Sequence, residues 1–246
     1  MIIYLAGFKT IEKDWQKSTE DIHLLSSYIE HKNGKFGKYV FQEKHILDSG
    51  AFTFLNNKKS NNINGEQYVI NYAKFIKQHN IKHFFELDID SIVGIKEVER
   101  LRNILENITG QKCIPVWHKS RGLEYWKQMC KEYDYVAIGG IVTKEIKASQ
   151  YDVFFPLLKI ARENNTKVHG LGFTNTKGLK KYKFYSVDST NWLNARFGTL
   201  GVYCFTGDNI INIRKPDNSR KKDLQAMNIY NFTEWTKFQK YAEKNL

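Results

Sequence analysis

The residues of this chain best suited to chemistry are acids placed at the ends of apolar runs. Asp48 follows His45-Ile46-Leu47 and precedes Ser49-Gly50-Ala51-Phe52. In HFFELDID (83–90), strand alternation sets Phe85, Leu87 and Ile89 on one face and Glu86, Asp88 and Asp90 on the other. The apolar set is expected to pack on helices and the acids to point toward an open mouth. Asp188, in SVDSTNW (186–192), follows an aromatic and β-branched run and precedes a polar turn. Several acids converging on one mouth are a set of reactive groups of the kind a barrel carries at its strand ends. Two glycine pairs accompany them, Gly139-Gly140 and His169-Gly170-Leu171-Gly172. Lacking side chains, they let a ligand approach backbone N–H groups closely.

Each residue also has a plainer explanation. A strand-end Asp followed by Ser or Thr serves as an N-cap or an Asx-turn, and paired glycines serve tight turns. His118 and His169 have no i,i+4 partner or H-E-x-x-H pattern, so they read as hydrogen-bonded side chains rather than metal ligands. Lys177, Lys180, Lys181 and Lys183 form a solvated face. Turns do not ask for all these acids and glycines at strand ends together, and that coincidence favours a site.

The elements that must position them alternate. Strand-like runs lie at 2–6, 45–49, 83–90, 112–118, 134–140, 167–172, 184–189 and 200–205. Helical faces lie between several of them. Tyr68, Tyr72, Phe75 and Ile76 form one behind a cap at Asn64, and Val98, Leu101, Ile104 and Leu105 form another. Eight strands alternating with helices in 246 residues predict an α/β fold, a single (β/α)8 TIM-type barrel. Barrel enzymes carry reactive groups where strands end, the places these acids occupy. The rival, an open doubly wound sheet, would need fewer strands, and no G-x-G-x-x-G follows the first one. With no long linker, repeat or composition break, residues 1–246 read as one domain. A basic loop, NIRKPDNSRKK (212–222), leads into a closing helix carrying Leu224, Met227, Tyr230, Trp235, Phe238 and Tyr241.

Composition narrows the class. Hydrophobic content of 41% and charged content of 26% suit a globular chain. No apolar run is long enough to cross a bilayer, and the start, MIIYLAGFKT, reads as a strand rather than a signal peptide. Cys113, Cys130 and Cys204 are scattered with no C-x-x-C pair, which predicts a reducing, cytoplasmic setting and no cysteine zinc site. A net charge of +12 predicts a polyanion partner, although lysine-rich chains of AT-rich genomes are basic by codon usage alone. Arg196, Arg214, Lys215, Arg220 and Lys221 are the expected nucleic-acid contacts.

Five pieces, LDSGAF (47–52), ELDID (86–90), AIGGI (137–141), HGLGFT (169–174) and SVDSTNW (186–192), stand in an order that resembles the tRNA-guanine transglycosylase superfamily. The resemblance is closer to its shorter DNA-modifying relatives, the DpdA-type 7-deazaguanine transglycosylases of phages and genomic islands. It spans about 45 to 200 and implies roles. Asp188 falls at the family's nucleophile and Asp48 at a second aspartate that holds the base and handles protons. Asp88 or Asp90 falls near the acid that reads the base's Watson–Crick edge. Gly139 and Gly140 fall at the backbone site for its exocyclic groups, with Ser49, Gly50, His118, His169 and Gly170 completing the substrate pocket. The tRNA enzymes carry a Cys-x-Cys-x-x-Cys zinc element after the nucleophile and a separate RNA-binding domain. Here only Cys204 lies beyond Asp188, and Ala51 stands where many have a second glycine.

The resemblance therefore implies an enzyme without metal or other cofactor that exchanges guanine in DNA for a 7-deazaguanine, such as the 7-cyano form. A phage-encoded copy would work in the host cytoplasm. The alternatives are exchange on tRNA, or a catalytically silent barrel that binds nucleic acid or the modification machinery.

Overall fold

The computed structural model describes residues 1–31, 37–51, 64–196, 201–214, 216, 218 and 223–246. It is an α/β fold built on a curled sheet of seven parallel strands. These are β1 (Ile2–Ala6), β2 (Leu24–Ser27), β3 (His45–Asp48), β4 (Val116–Trp117), β5 (Tyr135–Ile138), β6 (Lys167–Gly170) and β7 (Ser186–Ser189), in the order β3-β2-β1-β7-β6-β5-β4. The helices are α1 (Tyr28–His31), α2 (Gly65–His79), α3 (Asp90–Val93), α4 (Ile95–Thr109), α5 (Gly122–Glu132), α6 (Phe154–Glu163), α7 (Thr176–Lys181) and α8 (Leu224–Asn245).

Alternation along the strands sorts side chains between two apolar clusters. Ile3, Leu5, Leu24, Leu47, Phe84, Val136, Ile138, Val168 and Val187 pack toward the helices. Tyr4, Ala6, Leu25, Ile46, Phe85, Ile114, Val116 and Ala137 fill the concave side. By the same period of two, Asp48 lies beyond Ile46 on the concave face, and Asp188 sits beside Tyr4 in the β1–β7 register. Parallel strands all end on one side, so every strand-end residue named above shares one rim.

The expected helical faces form. The Asn64 side chain accepts the Gln67 N–H, and α2 buries Val69, Tyr72, Ala73 and Ile76. Val98, Leu101 and Leu105 are buried on α4, which ends at Gly110 in the left-handed region. In the closing helix, Trp235 and Phe238 are buried, whereas Leu224 and Tyr230 are exposed. Its Gln239 carboxamide ties to the carbonyls of Ile3 and His23 and to the His23 N–H, fastening the C-terminal helix to the first two strands.

Three expectations are corrected. Residues 83–90 do not form a continuous strand: only the parallel bridges Leu47↔Phe84 and Phe85↔Ile114 link this segment to its neighbours. Phe85 faces the concave cluster, not the helices, and Glu86 is fully buried away from the mouth. After Glu86 the chain tightens, the Ile89 N–H reaching the Leu87 carbonyl, so alternation cannot carry through to Asp90. Second, the expected strand at 200–205, whose first residue lies outside the described residues, does not join the parallel sheet. Val202–Phe205 pairs antiparallel with Ile210–Ile213 in a separate hairpin, β8 and β9. Third, the strand at Leu24–Ser27, absent from the expected set, lies between β1 and β3. Its run is too short to read beside the polar residues that flank it.

Candidate active site

Three acids meet at the rim where the parallel strands end. Asp48 closes β3, and its Oδ1 accepts the Gly50 N–H at 2.7 Å, the Asx-turn geometry its sequence context predicts. Gly50 has φ +84, and a Cβ there would strike Ile29 at 2.7 Å, so this turn needs glycine. Burial, then the charges of Asp88, Asp188 and Glu30, push the Asp48 carboxyl up to about 7, with the Gly50 N–H working the other way. No salt bridge to Asp48 forms among the described residues. The acid is thus poised between its two protonation states at neutral pH.

Asp88 is paired differently. Its Oδ2 lies 3.2 Å from His118 Nε2, while His118 Nδ1 lies 3.1 Å from Glu145 Oε2. The second oxygen of Glu145 accepts the Ser120 N–H. Burial disfavours a charged ring, yet the hydrogen bond and charge of Asp88, with Asp90 behind, raise His118 to about 9. Burial pushes Asp88 up, and His118 pulls it back. His118, raised to about 9, carries its proton at neutral pH.

The glycine pair after β5 makes this arrangement possible. A Cβ on Gly139 would sit 2.7 Å from His118 Cε1, and one on Gly140, at φ +79, would sit 2.8 Å from Glu145 Oε2. The Gly139 N–H itself donates to the Trp117 carbonyl. The space the two glycines leave is thus taken up by the His118–Glu145 pair.

Asp188 lies across the rim, its side chain 13% exposed. Its Oδ1 accepts the Gly172 N–H at 2.6 Å and faces His169 Nε2 at 3.2 Å. His169 is fully buried, and Gly170 pairs with Val187 inside the sheet. Gly172 sits at φ +68, which turns its N–H back toward the acid. Ser49 is buried with no hydrogen bond to its Oγ among the described residues, while its carbonyl accepts the Tyr68 hydroxyl.

Asp90 belongs elsewhere. Arg121 donates from Nε to Asp90 at 2.8 Å and from Nη1 to Glu86 at 3.0 Å. Although burial works against it, that guanidinium holds the Asp90 carboxyl below the usual range. Asp90, Arg121, Asp88, His118 and Glu145 line a cavity of about 930 Å³, and neither Asp48 nor Asp188 is among its lining residues.

Arg214 is exposed just past β9. Arg196 ends a 3₁₀ segment, Asn191–Arg196, with its side chain outside the description. Lys215, Arg220 and Lys221 lie outside the described residues. Gly172 stood out in the sequence as a strand-end glycine, though not as a donor to Asp188. Glu145, Arg121, Ser186 and Tyr135 escaped sequence reasoning, because they sit on elements whose approach no local pattern reveals. Among the described residues no three His, Cys, Asp or Glu side chains gather as a metal site requires, and no helix is long and apolar enough to cross a membrane.

No protein-family model matches the chain, and no curated protein matches it. The rim offers one carboxylate with an oxygen that accepts no hydrogen bond among the described residues, one acid near neutrality and one acid paired with histidine.

Proposed function

We propose that the curled sheet closes as an eight-stranded barrel through the segment at 84–85, and that the protein replaces guanine in DNA with a 7-deazaguanine. The observation that carries this reading is the convergence of Asp48, Asp88 and Asp188: the charges of the last two add to burial, the larger cause, in raising Asp48 to about 7. Barrel closure is supported by the two parallel bridges that span the gap between β3 and β4.

Asp188 attacks C1′ of the target nucleotide, through an oxocarbenium-like transition state, as the bond to guanine breaks. The bond pair leaves with guanine, which takes a proton from Asp48. The incoming 7-deazaguanine gives its ring N–H proton to Asp48 and attacks C1′, releasing Asp188. One group near pKa 7 serves both transfers, since each requires the opposite protonation state. Asp88, rather than the arginine-paired Asp90, faces the base. The target nucleotide leaves its stack to reach a rim of this kind. The net charge of +12 favours the phosphate backbone and makes affinity fall with salt. DNA is favoured over tRNA by the lone cysteine beyond Asp188, where the tRNA enzymes hold zinc.

The test supplies labelled 7-deazaguanines with guanine-containing single- and double-stranded DNA, and with tRNA in parallel. Label entering DNA, with guanine released in equal amount and both lost in Asp188→Asn, is the expected result. Label entering tRNA alone would move the activity to that substrate. Binding without exchange that survives loss of both Asp48 and Asp188 would leave a nucleic-acid-binding barrel and overturn the proposal.

A further inference from the structure

Asp188 is held from one side only. Both its donors, the Gly172 N–H and His169 Nε2, meet Oδ1, and Oδ2 accepts no hydrogen bond among the described residues. A carboxylate cannot donate, so the hydrogen between the two side chains sits on Nε2. The far edge of the ring is anchored as well: Nδ1 lies 2.7 Å from Ser186 Oγ, which meets the Tyr135 hydroxyl at 2.5 Å. His169 has no exposure to solvent, and the rings of Phe85 and Tyr4 pack at 5.1 and 6.0 Å. Both nitrogens are engaged, and the ring is not among the residues lining the cavity next to Asp88. A histidine so enclosed does not bind the base.

On the reading that Asp188 is the nucleophile, we infer that His169 is its positioning residue and that Oδ2 is the attacking atom. With Oδ1 pinned by two donors, the carboxylate cannot turn, and Oδ2 stays directed at the place the sugar must occupy. The Oδ2–C1′ bond forms as the C1′–guanine bond breaks, its pair and a proton from Asp48 going to guanine. In the return step the Oδ2–C1′ pair goes back to Asp188. The two donors on Oδ1 stabilise the departing carboxylate better than the ester. Ser186 and Tyr135 act at one further remove, fixing the plane of the ring.

Three variants of the full chain test this: His169→Phe removes both hydrogen bonds, His169→Gln keeps a donor toward Asp188, and Ser186→Ala leaves the ring. Acid-quenched single turnovers on a guanine-containing oligonucleotide count the covalent protein–DNA adduct. Titration with 7-cyano-7-deazaguanine reads base affinity separately. His169→Phe is expected to slow adduct formation about 10- to 100-fold with base affinity within about twofold of wild type, and His169→Gln to recover most of the rate. Ser186→Ala is expected to lose about 3- to 10-fold. Nitrogen-15 histidine spectra of the wild type at neutral pH should show His169 protonated at Nε2, a readout that does not depend on the variants folding. An Nε2 without hydrogen, a wild-type rate in His169→Phe, or equal losses of rate and base affinity that Gln does not rescue would overturn the inference. If the wild type itself forms no adduct with DNA or tRNA, the reading of Asp188 fails. If it forms one and His169→Phe matches it, only the positioning role falls.

Discussion

Two neighbouring groups of buried acids have been given opposite treatment. In the clasp between 84–86 and β4, Glu86 is fully buried, yet every part of its charge is answered. Arg102 meets it at 2.6 Å, Arg121 at 3.0 Å and the Val116 N–H at 2.7 Å, while Arg121 also holds Asp90. At the rim, Asp48 has no cation among the described residues and feels three further carboxylates, Asp88, Asp188 and Glu30. Paired acids in the clasp do mechanical work, holding an edge of the sheet where only isolated backbone bridges form. Buried without a cation of its own and crowded by other carboxylates, Asp48 costs stability in its charged form and holds its proton to higher pH.

That contrast can be broken in several places. The largest effect is expected from Asp188→Asn, which should lower exchange by at least about a thousandfold with little loss of stability. A residual rate near wild type, read as labelled base entering DNA, would remove the rim from the chemistry. Next, Asp48→Asn should slow exchange by about 100- to 10,000-fold.

Asp48→Asn also carries a pH signature. The folded-state value of about 7 lies above the ordinary carboxylate value, so folding favours the protonated acid. Wild type therefore loses stability as pH rises from about 4 through 7, and the asparagine variant does not. Their difference should grow across that window to roughly 4 kcal/mol in favour of Asn, read by urea unfolding at stepped pH.

In the clasp the expected sign reverses. Glu86→Ala strands two buried guanidinium groups and should cost about 3–5 kcal/mol, roughly 6–20 °C in Tm. Arg121 depresses Asp90, so the part of the clasp's stability held there is present above about pH 4 and lost only below it. A clasp variant that shared the rim's slope between pH 4 and 7 would dissolve the distinction. The His118–Asp88 pair falls between the two. His118 at about 9 is raised above its ordinary 6.5, so its contribution is complete below pH 6.5 and fades as pH rises to 9. His118→Gln should flatten that limb of the Tm profile. Smallest is Asn64→Ala, which removes the cap of α2 without touching a charged group and should cost about 1 kcal/mol with the pH slope unchanged.

The placement of Asp48 and Asp188 was legible because each ends a short apolar run, and parallel strands deliver their ends to one rim. Asp88 and Asp90 could not be separated by the same logic. The alternation that joined them stops at Glu86, and the residue that claims Asp90 is Arg121, 31 positions away. Gly139 and Gly140 were legible as places where a side chain would not fit. That the group filling their space is the His118–Glu145 pair was not, since those two residues come from different loops.

By itself the sequence determined the alternating α/β plan, the helix caps and faces, the rim positions of the acids and the strong positive charge. These follow from periods of two and 3.6 residues and from composition, all local properties. The tertiary structure alone decided which acids have a cation and which do not, which oxygen of Asp188 is left open, and that Leu24–Ser27 rather than 200–205 enters the sheet. Those outcomes depend on distances between segments tens of residues apart. Charge pairing and burial change steeply over a few ångströms, a scale that no local pattern encodes.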